Sequence, residues 1–310
     1  MLADERIETL AKSQTAAAQP PAKGRSLWLD AGRRFMRNKA AMISLVILLA
    51  VVLFTIAGPF FAQWSIARID WSVVGNVLTR GYPSLETGHY FGTDTVGRDL
   101  YSRVIQGTQV SLMVGLIGSA IAVVVGTIYG AIAGYFGGRV DSLMMRLVDI
   151  IYSIPYMFIL ILLLIIFGRS FIMLFVGIGL VSWLGMARVV RGQTLTLKNR
   201  EFVEAAIATG SRPLNVIFRH IVPNLLGIVA VYATLLIPEM ILLESFISFL
   251  GLGVQEPNTS LGALISAGAQ QMQYGTIWQL GFPLAFFVLI LFTFFFVGDG
   301  LRDALDPKDR

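Results

Sequence analysis

Six windows of this chain run nearly free of charge for about 20 residues, the length an α-helix needs to cross the ~30 Å hydrocarbon core of a bilayer. They lie at 40–61, between Arg103 and Arg139, at 150–168, at 170–187, from 221 to about 243, and at 276–298. The fourth is the shortest. The pattern predicts an all-α integral membrane protein with about six transmembrane helices. The polar stretches divide the rest: a flexible tail over 1–25, an interfacial helix over 26–39, a first span with its outer loop over 40–107, and a core transmembrane region over 108–298. That core carries a basic loop at 188–223, and a polar segment at 299–310 ends the chain.

Composition agrees with the pattern. Hydrophobic residues make up 55% of the chain and charged residues 14%, with a mean hydropathy of +0.73, values a soluble domain seldom reaches. The first apolar run begins near residue 40 and is too long for the apolar region of a cleaved signal peptide. Between Ser26 and Lys39, Leu27, Trp28 and Phe35 interleave with Arg33, Arg34, Arg37 and Lys39. That interleaving fits a short helix on an anionic membrane face, or a plain basic anchor for the first span.

Charge placement predicts the topology. Eight Lys and Arg precede residue 40, two stand at Arg139 and Arg146, six run from Arg188 to Arg219, and three follow Leu301. Only Arg68, Arg80, Arg98, Arg103 and Arg169 fall on the other side. Basic residues collect on the cytoplasmic side, so both termini and the 188–223 loop are expected in the cytoplasm. The net charge of +5 is thereby explained without nucleic acid. With no cysteine, disulfides and thiolate chemistry are excluded.

The basic loop holds the most informative segment, Glu204-Ala205-Ala206-Ile207-Ala208-Thr209-Gly210. Asn199 is expected to cap a helix whose first turn carries Glu201, an acid favoured by the helix dipole. Phe202, Ala205, Ala206 and Thr209 recur at helical spacing as a face of small residues with one aromatic knob. Gly210 suits the position just past a helix end, and Pro213 suits the start of a second helix running to His220, with the fifth span from Pro223. Two readings stand on pattern alone: a helix that docks into a partner, or a hairpin that packs back on its own membrane domain.

Glu204-Ala205-Ala206, Gly210, and Pro223 thirteen residues further on resemble the EAA loop of permease subunits of bacterial ATP-binding-cassette importers. His220-Ile221-Val222-Pro223 departs from that family's Ile-x-Leu-Pro ending at His220, with Val222 in place of Leu, and keeps the Pro. Residues 88–94 and 97–100 (Gly-His-Tyr-Phe-Gly-Thr-Asp and Gly-Arg-Asp-Leu) and Ser248-Phe249-Leu250-Gly251-Leu252-Gly253 resemble the dipeptide/oligopeptide branch. The segments 24–36 and 298–310 are similar to those of C-type subunits of oligopeptide permeases. The resemblance implies a type I importer permease (MetI-like) fold in the bacterial inner membrane. It further implies a homologous B-type permease partner, two cytoplasmic ATPase subunits, a periplasmic peptide-binding protein and a peptide substrate. In that family the loop is the coupling helix, which assigns ATPase coupling to Glu204, Ala205, Ala206, Gly210 and Pro223.

Absences fit that division of labour. A P-loop needs Gly-Lys-Ser/Thr, and none of Lys12, Lys23, Lys39, Lys198 and Lys308 follows a glycine. No cofactor is expected on this chain; ATP is used by partner subunits. His89 and His220 fall on opposite sides of the predicted membrane, so no catalytic or metal constellation is expected, and an isolated histidine reads as a hydrogen-bonded structural residue.

Other segments carry structural expectations. Gly118, Ala122, Gly126, Gly130 and Gly134 form a small-residue face, for packing inside this subunit or against a second one. Pro155, Trp183 and Gly185 predict irregular third and fourth helices. Asp94 is expected to cap a short interfacial helix from Val96, with Asp99 and Arg103 paired at i, i+4. A count of ~20 residues from Ile221 places Glu239 and Glu244 at the periplasmic mouth, in a structural pairing or touching charged peptide termini. An alternative cargo within the same family is dipeptides, glutathione or nickel complexes, whose permeases share the loop and the Gly92-Thr93-Asp94 segment; the terminal segments argue against it. An ion-coupled secondary transporter would need midplane acids and inverted-repeat hydropathy, which the sequence does not clearly show.

Overall fold

A computed structural model describes residues 27–305. The tail expected over 1–25 and residues 306–310 lie outside the described residues. The chain is built of helices α1 (Leu27–Arg37), α2 (Lys39–Phe61), α3 (Leu100–Phe136), α4 (Gly138–Ser153) and α5 (Tyr156–Phe167). Then follow α6 (Phe171–Leu197), α7 (Glu201–Ala208), α8 (Pro213–Phe249), α9 (Leu261–Gln271) and α10 (Trp278–Leu305). Five of these, α2, α3, α6, α8 and α10, are long and apolar enough to cross a membrane, and α4 with α5 makes a sixth candidate bent by 79°.

The bend is the irregularity expected at Pro155, but the candidate span begins at Gly138, well before the window at 150–168. Pro155 has no N–H to donate and disfavours helical geometry in the residue before it, so Ile154 turns extended (φ −88°, ψ 127°) and the helix breaks. The fourth span, shortest in the sequence, is a 27-residue helix. It runs past Arg188 and Arg191, because Arg188 pairs with Asp149 and stacks over Tyr152, and Arg191 grips Asp141 at 2.5 and 2.6 Å. The loop expected over 188–223 therefore shrinks to residues 198–212 around α7.

The second span is also longer than its window. α3 has 37 residues, about 55 Å at 1.5 Å per residue. No separate interfacial helix starts at Val96: Asp94 instead folds a turn by accepting from the Val96 and Arg98 N–H groups. Asp99 is the cap, its carboxylate accepting from Ser102 N at 2.8 Å, and α3 runs unbroken into the span.

The glycine face packs inside the subunit. α3 and α6 lie parallel, with Gly118 against Ile178, Gly126 against Met186 and Trp183, Gly130 against Ala187 and Val190, and Gly134 against Thr194. A Cβ on Gly130 would run into the Ala187 carbonyl oxygen, so glycine is required for the helices to touch backbone to backbone. The bundle thus has a basic end, carrying residues 198–212, and a far end, where residues 62–99 and 250–277 meet. At the far end His89 is fully buried and stacked on Trp64 at 4.5 Å. Its ring nitrogens face Asp99 at 2.9 Å and Asp70 at 3.4 Å. Burial pushes the imidazole pKa down, but the hydrogen bonds and charges of Asp99 and then Asp70 outweigh it, and the net shift is upward. For Asp70, burial is outweighed by Ser72 and then His89, and its pKa is lowered.

Gly130→Val should destabilise the bundle by about 3 kcal/mol, the upper range for overpacking, whereas Gly192→Ala, with open space around its Cβ, should be neutral. Thermal unfolding midpoints in detergent compare the two. The His89 contribution is complete below the ordinary imidazole value of about 6.5 and is lost as pH rises through the raised folded value. That of Asp70 is complete above about 3.9 and lost as pH falls through its depressed value. Hydrogen exchange in residues 62–99 should therefore quicken as pH rises through the raised His89 value, after correction for intrinsic exchange. His89→Asn should abolish that pH dependence.

Candidate functional site

α7 is an eight-residue helix whose first turn carries Glu201 and Glu204. Asn199 does not cap it; its amide donates to the Leu195 carbonyl and finishes α6, and Arg200 is the N-cap through backbone bonds alone. Val203 is fully buried and Ala206 nearly so, in a cluster with Met186, Val190, Val216, Ile217 and Ile221. The face expected from Phe202, Ala205, Ala206 and Thr209 is thus split. Ala206 turns into its own domain, while Phe202, Glu204, Ala205, Ile207 and Thr209 remain exposed. The segment packs back on its own membrane domain through one stripe, as the hairpin reading expects, and its other stripe is exposed.

The turn after α7 follows from Gly210, whose φ of +81° an L side chain resists. Ser211 N–H donates to Ala206 O at 3.1 Å and Gly210 N–H to Ile207 O at 2.9 Å, the paired bonds of a Schellman motif. Pro213 then opens α8 at its first turn. The helix does not stop at Pro223, where the fifth span was expected to start. Ile217–Ile221 form one π turn, and α8 continues through Pro223 to Phe249. The wider turn gives the proline ring room, and Asn224 donates its side-chain amide to His220 O at 2.6 Å. Glu204, Ala205 and Gly210 therefore share one exposed helix-and-turn, with Pro223 exposed on the adjoining helix.

At the far end the two acids of α8 part company. Glu239 is exposed and has no hydrogen bond among the described residues. Glu244 was expected beside it at the mouth but is wholly buried, because five residues of helix turn it to the opposite side, into α3 and the start of α9.

Sequence reasoning missed the clamp that closes this end. Glu256, on the loop after α8, pairs with Arg98 and, at 3.0 Å, with Arg103. Asp94 accepts from Arg98 Nε at 2.6 Å and lies 3.7 Å from Arg103 Nε. Arg103 was expected on Asp99, but Asp99 is occupied by the α3 cap and His89. Gln106 adds a bond to Asn258 at 2.9 Å and accepts from Thr259 N–H. Burial raises the Glu256 carboxyl, but Arg103 and then Arg98 outweigh it and lower its pKa. Burial also pulls the Arg98 guanidinium down, and Asp94 and then Glu256 overcome it, so its pKa is raised. A cavity of about 290 Å³ lies beside the clamp, lined by Arg169, Ser170, Phe171, Gln255, Glu256 and Asn258 among others. The partners are more than 150 residues apart, so no local pattern reports them. The only sequence signal was an isolated Glu-Pro within a Gly-rich stretch facing two arginines on the same predicted side.

Known proteins are similar to this chain in sequence and in fold. Residues 126–310 match the family model of the binding-protein-dependent transport system inner membrane component. Residues 26–76 match the model for the N-terminal TM domain of oligopeptide transport permease C. The oligopeptide transport system permease protein OppC of Escherichia coli (strain K12) is 53% identical over 310 residues, covering 100% of both chains. OppC of Haemophilus influenzae is 54% identical over 288 residues, 93% of this chain and 91% of that protein. The dipeptide transport system permease protein DppC of Bacillus subtilis is 41% identical over 281 residues, 91% of this chain and 86% of that one. A chain of the methionine ABC transporter MetNI, solved in inward-facing conformations, aligns with a TM-score of 0.51 at 18% identity. It covers 65% of this chain and 95% of the other, and at that identity it speaks for the fold alone. With a family model spanning more than half its length and relatives matched end to end, this chain belongs to the family of binding-protein-dependent transport system inner membrane components.

Proposed function

We propose that this chain is the C-type permease subunit of an oligopeptide importer, forming half of a transmembrane pathway driven by ATP hydrolysis on partner subunits. The end-to-end identity to OppC of Escherichia coli supports the cargo class. The observation that carries the mechanism is α7: one stripe is locked into the membrane domain by Val203 and Ala206, and the other is presented outward. In this reading the basic end faces the cytoplasm, as do both termini, in agreement with the Lys and Arg distribution.

Glu204, Ala205 and Gly210 then meet a cytoplasmic ATPase, while Ala206 is the anchor that makes α7 move with its own domain. Small exposed residues let the helix approach a partner surface closely. The Schellman turn at Gly210 joins α7 rigidly to α8, so a displacement of α7 is passed to a helix long enough to cross the membrane. The second ATPase serves a homologous B-type permease subunit, and a periplasmic binding protein delivers peptide to the far end. Closure of the ATPase pair on ATP opens the pathway outward, and reopening releases peptide inward.

The test is uptake into proteoliposomes holding the four-subunit complex and its binding protein, across peptides of two to six residues, glutathione and nickel. ATP-dependent uptake that favours peptides longer than two residues is expected. Uptake driven by an ion gradient without ATP, or confined to dipeptides or nickel, overturns the reading. Gly210→Val has open space at its Cβ, so its cost is backbone strain of about 1–2 kcal/mol. It should lower uptake and binding-protein-stimulated ATPase at least fivefold in an assembled complex; normal coupling would remove the role given to this turn.

A further inference from the structure

Glu244 is a fully buried carboxyl that the proposed transport cycle does not use, and no basic side chain pairs with it among the described residues. A carboxyl buried in an apolar helix bundle is costly unless hydrogen bonds meet it. Here the carboxyl is met by hydroxyls. Ser248 Oγ donates to Oε1 at 2.5 Å, and Ser111 Oγ and Ser245 Oγ donate to Oε2 at 3.2 and 3.3 Å. The network goes further: Ser260 Oγ donates to Ser248 Oγ at 3.1 Å, and Leu261 N–H donates to Ser111 Oγ at 3.3 Å.

The positions of these serines give the cluster its meaning. Ser248 lies at the end of α8 and Ser260 caps the start of α9, so the pair closes the base of the 250–260 loop. Ser111 belongs to α3, so the same carboxyl ties that base to the second span. At its crest the loop carries Glu256, which grips Arg98 and Arg103. The elements are in close contact here: a Cβ on Gly253 would run into Ser248 Oγ, and one on Gly262 into Ser245 Cα. Apolar packing alone would tolerate small slips between these helices. A buried hydrogen-bond network allows one arrangement, since each broken bond leaves a polar atom unsatisfied.

We propose that Glu244 is a positioning residue of the outer mouth: its carboxyl gathers Ser111, Ser248 and, through Ser248, Ser260. It thereby holds the 250–260 loop in the arrangement that receives the loaded binding protein. The proposal rests on the importer reading. Glu244 does not touch peptide; it acts through the loop and its Glu256 clamp.

The experiment uses the complete complex in proteoliposomes with its binding protein, and first requires ATP-dependent peptide uptake by wild type. Absence of that uptake would fail the importer reading, whereas variants at Glu244 and Ser248 test the positioning role. In Glu244→Ala, hydrogen exchange in residues 250–260 should quicken at least tenfold with residues 201–210 unchanged. The binding-protein concentration giving half-maximal ATPase stimulation should rise at least fivefold. Glu244→Gln keeps an acceptor and adds donors, and should restore both to within twofold of wild type. Ser248→Ala should shift both in the same direction as Glu244→Ala, and it decides the matter where Glu244→Ala fails to assemble. Unchanged half-saturation in the alanine variants overturns the proposal. So does faster exchange spread evenly over the chain, or a Glu244→Gln variant as impaired as Glu244→Ala.

Discussion

The close approach of α3 and α6 is the contact on which the remaining architecture depends. Lipid tails offer no hydrophobic drive for helices to associate, so helix pairs in a bilayer must gain from dispersion and from fit. Gly126, Gly130 and Gly134 remove side chains from one face of α3 and let α6 lie against its backbone. Between the two helices of this parallel pair, α4 and α5 return the chain, with a sharp break at Pro155. α8 then packs on the pair through Ile237, Met240 and Ile241, near Gly115 and Gly118. The basic end and the far end are consequences of that three-helix centre.

Polar groups mark where the apolar bundle is held to a unique arrangement. At the basic end, Arg191 with Asp141 and Arg188 with Asp149 fasten α4 to α6. At the far end, three devices of different chemistry do comparable work: an imidazole between two carboxylates at His89, a clamp of two arginines around Glu256, and a carboxyl among hydroxyls at Glu244. Each joins segments remote in sequence. α7 carries none of these devices: Val203 and Ala206 hold it through apolar contact, and its acids point outward. Held by these two apolar anchors, the helix leaves Phe202, Glu204, Ala205 and Ile207 exposed on its other side.

Legibility followed the range of the interaction. The apolar windows located the candidate spans, five long helices and one bent pair among the described residues, because a bilayer imposes one length scale on every span. Gly210, Pro213 and Pro155 were placed correctly, since each acts through its own backbone geometry. Asn199, Asp94 and Asp99 were misassigned for the converse reason. Any polar residue near a helix start can cap it, and which one does so depends on where its competitors are engaged: Asn199 with Leu195, Asp94 with Arg98, and Asp99 free to serve α3 while holding His89.

The acids of α8 show the division most sharply. Hydropathy and the ~20-residue span length placed Glu239 and Glu244 near one level of the membrane. Whether either faces outward is a matter of helix rotation, which only packing against α3 and α9 decides; that rotation exposed Glu239 and buried Glu244 among serines from three helices. The sequence by itself determined a helical membrane protein with six apolar windows and a short helix ending at Gly210 in its longest basic loop, because span length and local turns are written in neighbouring residues. The tertiary structure alone decided which face of α7 is free, which acid is hidden and which arginines close the far end, because those outcomes depend on contacts between residues remote in sequence.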